Sequence, residues 1–448
     1  MMNTRYLIIG NSAGGIGAAE AIRRIDAGAP ITIVSDEPYL AYSRPMISEY
    51  LAHHIPIERM LYRPAGFYEE NQVTTVLGKK AVGLDLAKKT VALDSGESIG
   101  WEKLLLATGG TPIVTQTEGV EREGVFTFTT LDNAKAIDHF LNEHSGAGVR
   151  AVVVGGGLIG LSVGEALSKR GVAVTIVEMK DRVLNTIVDE ETSALAAAAI
   201  KKAGVAVVVN HTVARITSYA GGPVTGVTLD DGQPLPCEMV IMAIGVRPRL
   251  DLVSGSGLKV NRGVLVDRAM ATSNPDVYAC GDVCEAFDFV YDGNRLSPVW
   301  PNAYVGGRVA GLNMAGVPTE YAGGTAMNSL NYFGLTIASA GIAVAPDASY
   351  ATTDRRQDRN YRKIVLKDRR IAGMVFAGNI EKAGVVFGLM KDRIDVSSFK
   401  DRLVADDFSL AMLPDNVWRD KLGLNATIRS AAREEEAGEP AEEAVAGE

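Results

Sequence analysis

The sequence predicts an α/β protein: two doubly wound units of one plan, followed by a smaller α+β unit and an acidic tail. Three observations predict it. Two glycine-rich turns stand 145 residues apart, Tyr6-Leu-Ile-Ile-Gly10-Asn-Ser-Ala-Gly-Gly15 and Ala151-Val-Val-Val-Gly155-Gly-Gly-Leu-Ile-Gly160. Each closes an apolar run and opens a helical pattern. Beyond residue 326 the alternation of strand and helix gives way to neighbouring β-rich runs, among them 363–366 and 371–376.

The elements follow in order. A strand over 5–10 leads into a helix through 18–24 and a second strand over 31–35, and the unit closes with the apolar run at 103–109. The second unit repeats this with a strand at 151–154, a helix at 158–170, a strand at 174–178 and a closing run at 240–248. Short apolar runs bounded by glycine, with a helix between them, are the mark of buried parallel strands. One such turn is a weak signal, but two at the heads of two strand–turn–helix patterns imply two Rossmann-like dinucleotide sites.

At the first turn Gly10 allows the sharp reversal. The small residues Ser12, Ala13 and Gly14 let a pyrophosphate approach the backbone, and Gly15 lets helix pack on strand. The helix start then offers free N–H groups and a partial positive charge. Ser12 stands where a second glycine is commonest. Asp36 and Glu37, just past the second strand, are candidates for the adenosine ribose hydroxyls, and each reads equally well as a solvated turn residue. At the second turn Gly155, Gly157 and Gly160 are all present around Leu158 and Ile159, and Glu178 follows at the distance of a ribose acceptor. A carboxylate there repels a 2′-phosphate and favours NADH over NADPH. Arg182 nearby softens that preference.

Composition bounds the rest. The 448 residues exceed one ordinary core, and no apolar stretch approaches the roughly 20 residues of a membrane span. A first strand entered by Tyr6 leaves no room for a signal peptide. Three cysteines do not make a disulfide framework, so a reduced cytoplasmic protein is expected. Seven Glu against one Arg between 431 and 448 carry −6 of the net charge of −9. The body is left near −3, which argues against nucleic acid. The tail over 426–448 has no aromatics and no apolar period, and disorder is expected there.

Several further motifs stand in a specific order. They are Tyr42-Ser-Arg44-Pro45-Met-Ile-Ser48, Ala107-Thr108-Gly109, Ala243-Ile-Gly245-Val-Arg-Pro248, Tyr278-Ala-Cys-Gly281-Asp282-Val, Trp300-Pro-Asn-Ala and Gly307-Arg308-Val-Ala-Gly-Leu-Asn-Met. With the two turns, they make the chain resemble the FAD/NAD(P)-dependent pyridine nucleotide–disulfide oxidoreductase superfamily over residues 4–420. The resemblance is to its branch without an active disulfide: ferredoxin and rubredoxin reductase-like flavoproteins, NADH oxidases and the FAD part of nitrite reductases.

The resemblance implies glutathione reductase-like FAD and NAD domains: an FAD domain of 1–115 with 248–323, an NAD(P) domain of 116–247 inserted in it, and an α+β domain of 324–425. FAD is then expected on the first turn, with Asp282 taking the ribityl hydroxyls, Gly281 allowing close approach, and Arg44 and Pro45 along the flavin and phosphates. Ala81, Ala107, Thr108, Gly109 and Gly245 complete the cofactor set. NAD(H) is expected on the second turn. The third domain is expected to serve a homodimer or a partner contact.

The chain also departs from its relatives. The segment 39–51 has no cysteine, and the five histidines, at 53, 54, 139, 144 and 211, leave the third domain without one. Thiol–disulfide chemistry therefore lacks its usual thiolate and proton donor. Cys280 and Cys284 read as buried small apolar residues rather than metal ligands. Relatives place a Lys–Glu pair near the flavin N5; the matching positions here are Glu49 and Ser162, which predicts altered stability of the reduced flavin. The stretch 355–370, with eight Lys/Arg against two Asp, reads either as a solvated hairpin or as a dock for an acidic ferredoxin.

The function expected from all this is hydride transfer between NADH and FAD, with electrons passed to or from an iron–sulfur protein or another electron carrier. A peroxide-forming NADH oxidase and a non-catalytic flavoprotein subunit are the alternatives.

Overall fold

The computed structural model describes residues 2–144, 148–415 and 417; the acidic tail lies outside them. The strand Met2–Ile9 sits centrally in the first sheet. Ile31–Ser35 and then Val73–Leu77 lie on one side of it and Ser98–Leu106 on the other, all parallel. Val277–Ala279 adds in parallel to the far half of Ser98–Leu106, returning the chain to this sheet after more than 150 residues. Both faces of these strands are covered, so Tyr6, Leu7 and Ile8 are all but fully buried without alternation.

The second sheet has the order Ala206–Val209, Ala173–Glu178, Arg150–Val154, Met239–Met242, Val125–Thr127, parallel throughout. An antiparallel pair, Gly110–Pro112 with Val246–Pro248, joins the exits of the two sheets. The third sheet is antiparallel, in the order Met327–Tyr332, Leu335–Gly341, Arg370–Ala377, Asn360–Lys367, Tyr350–Gln357. Helix Ala383–Lys391 packs against it.

The two glycine turns are one structure made twice. Gly10 N–H donates to Val34 O at 2.8 Å, and Gly155 N–H donates to Val177 O at 2.7 Å. Gly10 has φ +124° and Gly155 +112°. A Cβ on Gly10 would stand 2.1 Å from Ala107 O, and one on Gly155 2.5 Å from Ala243 O. The last glycines match too, since a Cβ on Gly15 or Gly160 would stand 2.0 or 1.9 Å from the carbonyl oxygen of Gly10 or Gly155. These contacts give the helices Ala13–Ile25 and Leu158–Lys169 their close seat at the strand ends. Both helix starts therefore face the carboxyl ends of their sheets, where open α/β sheets bind ligands.

Helix Ala13–Ile25 is pressed against Trp300–Met314 almost backbone to backbone. A Cβ on Gly307 would stand 2.0 Å from Gly14 O, and one on Gly311 2.6 Å from Ala18 O. Small residues on both helices make that approach sterically possible.

Candidate functional site

One cavity of about 1250 Å³ runs from the first turn to the second. It exceeds the roughly 300–1,000 Å³ of an ordinary small-ligand cleft. Its wall carries Gly10, Ser12, Ala13, Gly14, Asp36, Arg44, Pro45, Ala81, Ala107, Thr108, Gly109 and then Gly155, Gly157, Leu158, Ile159, Ser162, Glu178, Gly245, Gly281 and Asp282. The chain thus brings together residues that are far apart in sequence.

At the first end Asp282 follows Gly281, whose φ of +76° lets the backbone turn beside Ala303. Its carboxylate takes no hydrogen bond from another residue among the described residues. Burial pushes its carboxyl up, opposed by the charge of Arg44. A half-buried carboxylate whose one hydrogen bond comes from its own backbone is short of donors, and the hydroxyls of a polyol chain would supply them. The donor set and the glycine cradle therefore fit FAD.

Arg44 donates to Thr129 O at 3.1 Å and pairs with Glu37. Glu37 also accepts from Tyr42 Oη at 2.5 Å, and that hydroxyl in turn accepts from Leu131 N–H at 2.9 Å, at the start of helix Leu131–Glu143. The Arg44 loop is thereby tied to the second unit. Asp36, on the wall, pairs with Arg249 at 2.6 Å.

At the second end Glu178 is buried, and its two carboxylate oxygens accept from Gly156 N–H at 2.6 Å and Lys180 N–H at 2.8 Å. Each oxygen keeps a lone pair for a ribose hydroxyl. Arg182 is held by both oxygens of Asp181 at 3.0 Å and is absent from the wall. The softening of the NADH preference expected of Arg182 therefore finds no support, because its charge is engaged beside the site and not in it.

Three expected site residues do not line the cavity. Gly160 acts behind it, as the packing glycine. Glu37 is turned to Arg44 and Tyr42, so its expected role on the ribose gives way to holding Arg44. Glu49 must be corrected outright. It lies on the helix Ile47–Leu51, whose inner face is Ile47 and Leu51, so Glu49 points the other way. Its half-exposed carboxylate meets His54 Nδ1 at 2.8 Å. A carboxylate beside the flavin is therefore not what this residue provides. Ser162 does reach the cavity, where it stands beside Tyr332 of the third sheet.

The three cysteines are free and buried. Burial pushes the Cys237 and Cys280 thiols up to about 12, with Glu238 and Asp282 acting in the same direction. Neither is poised as a thiolate. The basic stretch forms a hairpin, and five of its eight cations face acidic partners: Arg355 and Arg362 with Asp406, Arg356 with Glu191, Lys363 with Asp189, Arg369 with Asp395.

Sequence reading passed over Trp300, Asn328, Leu330 and Tyr332, which also line the cavity. Trp300 lay within a quoted motif. The other three come from a strand whose sequence carries no local sign of a site.

Residues 4–307 match the family model for pyridine nucleotide-disulphide oxidoreductase. The chain belongs to that family. Residues 327–394 match the rubredoxin NAD+ reductase C-terminal domain. The protein is accordingly an FAD-dependent oxidoreductase that uses a nicotinamide dinucleotide. It is similar to the NADH-dependent phenylglyoxylate dehydrogenase subunit epsilon of Aromatoleum evansii, 30% identical over 93% of this chain and 99% of that one. It is also similar to rubredoxin-NAD(+) reductase of Ectopseudomonas oleovorans, 32% identical over 62% of this chain and 72% of that one. The chain spans about half the length of several longer relatives. Its fold matches putidaredoxin reductase in its covalent complex with putidaredoxin, at a TM-score of 0.82 over 91% and 97% of the two chains and 24% identity. Among the described residues no helix is long and apolar enough to cross a membrane.

Proposed function

We propose that the protein takes electrons from NADH and passes them to a protein electron carrier of the iron–sulfur kind, with FAD on the first turn and NAD(H) on the second. The observation that carries this reading is the single cavity that holds both turns in one wall. The geometry supports the residue assignment that goes with this reading. Asp282, Gly281, Arg44 and the Gly10 turn hold FAD; Glu178 and the Gly155 turn hold NADH. The first-sheet strands, with their late addition at Val277–Ala279, support 1–115 with 248–323 as the FAD unit around 116–247.

FAD, when bound, converts a two-electron hydride donor into single-electron traffic. The protein's part is to bind and orient two rings. Glu178 selects the dinucleotide without a 2′-phosphate. Arg44, locked by Glu37 and Thr129, sets the entrance between the two units.

The relatives support the acceptor class, since reductases for rubredoxin and ferredoxin stand among them. The near full-length match to a dehydrogenase subunit supports a second form of the same reading, in which the carrier is a permanent partner subunit. A reducing compartment such as the cytoplasm suits three free thiols.

The test is anaerobic reduction of the yellow protein by NADH, followed by rapid mixing with air or with a ferredoxin. Fast reoxidation by the ferredoxin and slow reoxidation by air is the expected result. Fast peroxide formation that ferredoxin does not accelerate would make the protein an oxidase.

A further inference from the structure

The hairpin of Met327–Tyr332 and Leu335–Gly341 turns through Phe333 and Gly334, and its tip rests on helix Leu158–Lys169. Tyr332 Oη donates to Leu158 O at 3.1 Å with the Ser162 hydroxyl beside it, while Phe333 N–H donates to Glu165 Oε1 at 3.0 Å. Phe333 has φ +52°, a left-handed conformation that is costly for a bulky residue and persists where its surroundings over-determine it. The tip is thus anchored by three contacts on the helix that starts at the second turn.

Tyr332, Ser162, Leu158 and Ile159 all line the cavity. Glu178 marks the adenosine end of the second site through its bond to Gly156. A dinucleotide with its ribose on Glu178 and its pyrophosphate over Gly155–Gly157 runs its other end along Leu158, Ile159 and Ser162. That end meets two uncharged hydroxyls. Tyr332 gives its proton to Leu158 O, so what it turns toward the cavity is acceptor lone pairs, matched to an N–H₂ donor such as a carboxamide, and the Ser162 hydroxyl beside it accepts as well.

We propose that the Ser162–Tyr332 hydroxyl pair positions the nicotinamide end of the dinucleotide, so that the C-terminal sheet completes the second site. This rests on reading the second turn as the NAD(H) site. Burial, opposed by Ser162 and helped by Glu165, pushes the Tyr332 phenol up to about 12. Its proton is engaged on Leu158 O, so Tyr332 is a positioning residue and not a general base.

The experiment compares two ligands on the FAD-loaded protein by calorimetry: NAD⁺, and ADP-ribose, which lacks the nicotinamide. Tyr332→Phe and Ser162→Ala are each expected to weaken NAD⁺ about five- to tenfold. The double variant is expected to be little worse than either, because the two hydroxyls act as one unit. ADP-ribose should bind all forms equally. Unchanged NAD⁺ binding would overturn the proposal. So would equal weakening of both ligands, which would make Tyr332 a brace for the helix. If the parent protein binds neither ligand, the NAD(H) reading of the second turn itself fails, and the proposal with it.

Discussion

The first glycine turn is roofed by its own unit, and the second by a different one. Around Gly10 the close neighbours are Ala107, Cys280 and Ala303 and the helix Trp300–Met314, all attached to the first sheet. Around Gly155 the strand neighbour is again internal, but the helix behind the turn is met by the tip of the third sheet. The charges differ as well. Near the first turn Asp36 and Glu37 are met by Arg249 and Arg44, and Asp282 takes no hydrogen bond from another of the described residues. Near the second, Glu178 is met by backbone N–H groups. A site closed by packed backbone suits a resident cofactor. A site finished by a hairpin tip and hydroxyls suits a ligand that must leave each turnover.

The largest effects should separate the turns. Gly10→Ala puts a Cβ against Ala107 O at a forbidden φ, costs about 2–4 kcal/mol, and should yield protein without yellow colour. Gly155→Ala has the same steric fault but should stay yellow and lose reduction by NADH; absorbance spectra before and after NADH check both. If Gly155→Ala also loses its flavin, the two sites are not separately built.

Next comes Glu178→Ser, which leaves Lys180 on the wall and removes the carboxylate. The NADH-to-NADPH preference, measured as a ratio of kcat/KM, should fall about 100-fold, or ~2.7 kcal/mol. A change below threefold would mean that Glu178 only braces Gly156.

Asp189 tests how far the third sheet supports the second unit. It caps helix Glu190–Lys202 through Thr192 N–H, accepts from Tyr361 Oη at 2.7 Å and pairs with Lys363 at 3.1 Å. Asp189→Ala should cost about 2–3 kcal/mol by chemical denaturation, from the lost cap and the stranded partners. Burial alone raises this carboxyl, but Tyr361, Thr192 and Lys363 outweigh it and hold it below its ordinary value. A depressed folded value gives stability that is present above the unfolded value and lost as pH falls through the folded one. Acid titration of the parent and of Asp189→Asn should therefore converge at low pH.

The smallest effect is expected from Arg249→Gln. Its pair with Asp36 is half exposed, so stability should change by less than about 1 kcal/mol, with flavin content unchanged.

Much of this was legible locally. Gly10, Gly15, Gly155 and Gly160 announce their turns because a Cβ at any of them would stand 2.5 Å or less from a carbonyl oxygen. Strand Ala173–Glu178 announces itself by an apolar run ending in the acid. Glu49 misled because position along the chain does not say which face of a five-residue helix turns inward. The neighbours of that helix decide it, and they bury Ile47 and Leu51. The basic stretch is the hairpin that was one of its two readings, but its partners at Asp189, Glu191, Asp395 and Asp406 were hidden in the same way, since they are set by the sheet.

By itself, then, the sequence determined the two turns, the parallel strands that carry them, the acid that ends Ala173–Glu178 and the lack of a cysteine in 39–51. These rest on backbone sterics and on residue types acting within some 30 positions. Tertiary structure alone decided that both turns share one cavity, that Glu37 serves Arg44, and that Ser162 answers to Tyr332. Glu37 and Arg44 are only seven positions apart, but the fold decides which way the Glu37 side chain turns; Tyr332 and Leu158 are 174 positions apart, and only the packing of the third sheet on the second unit brings them within hydrogen-bond reach.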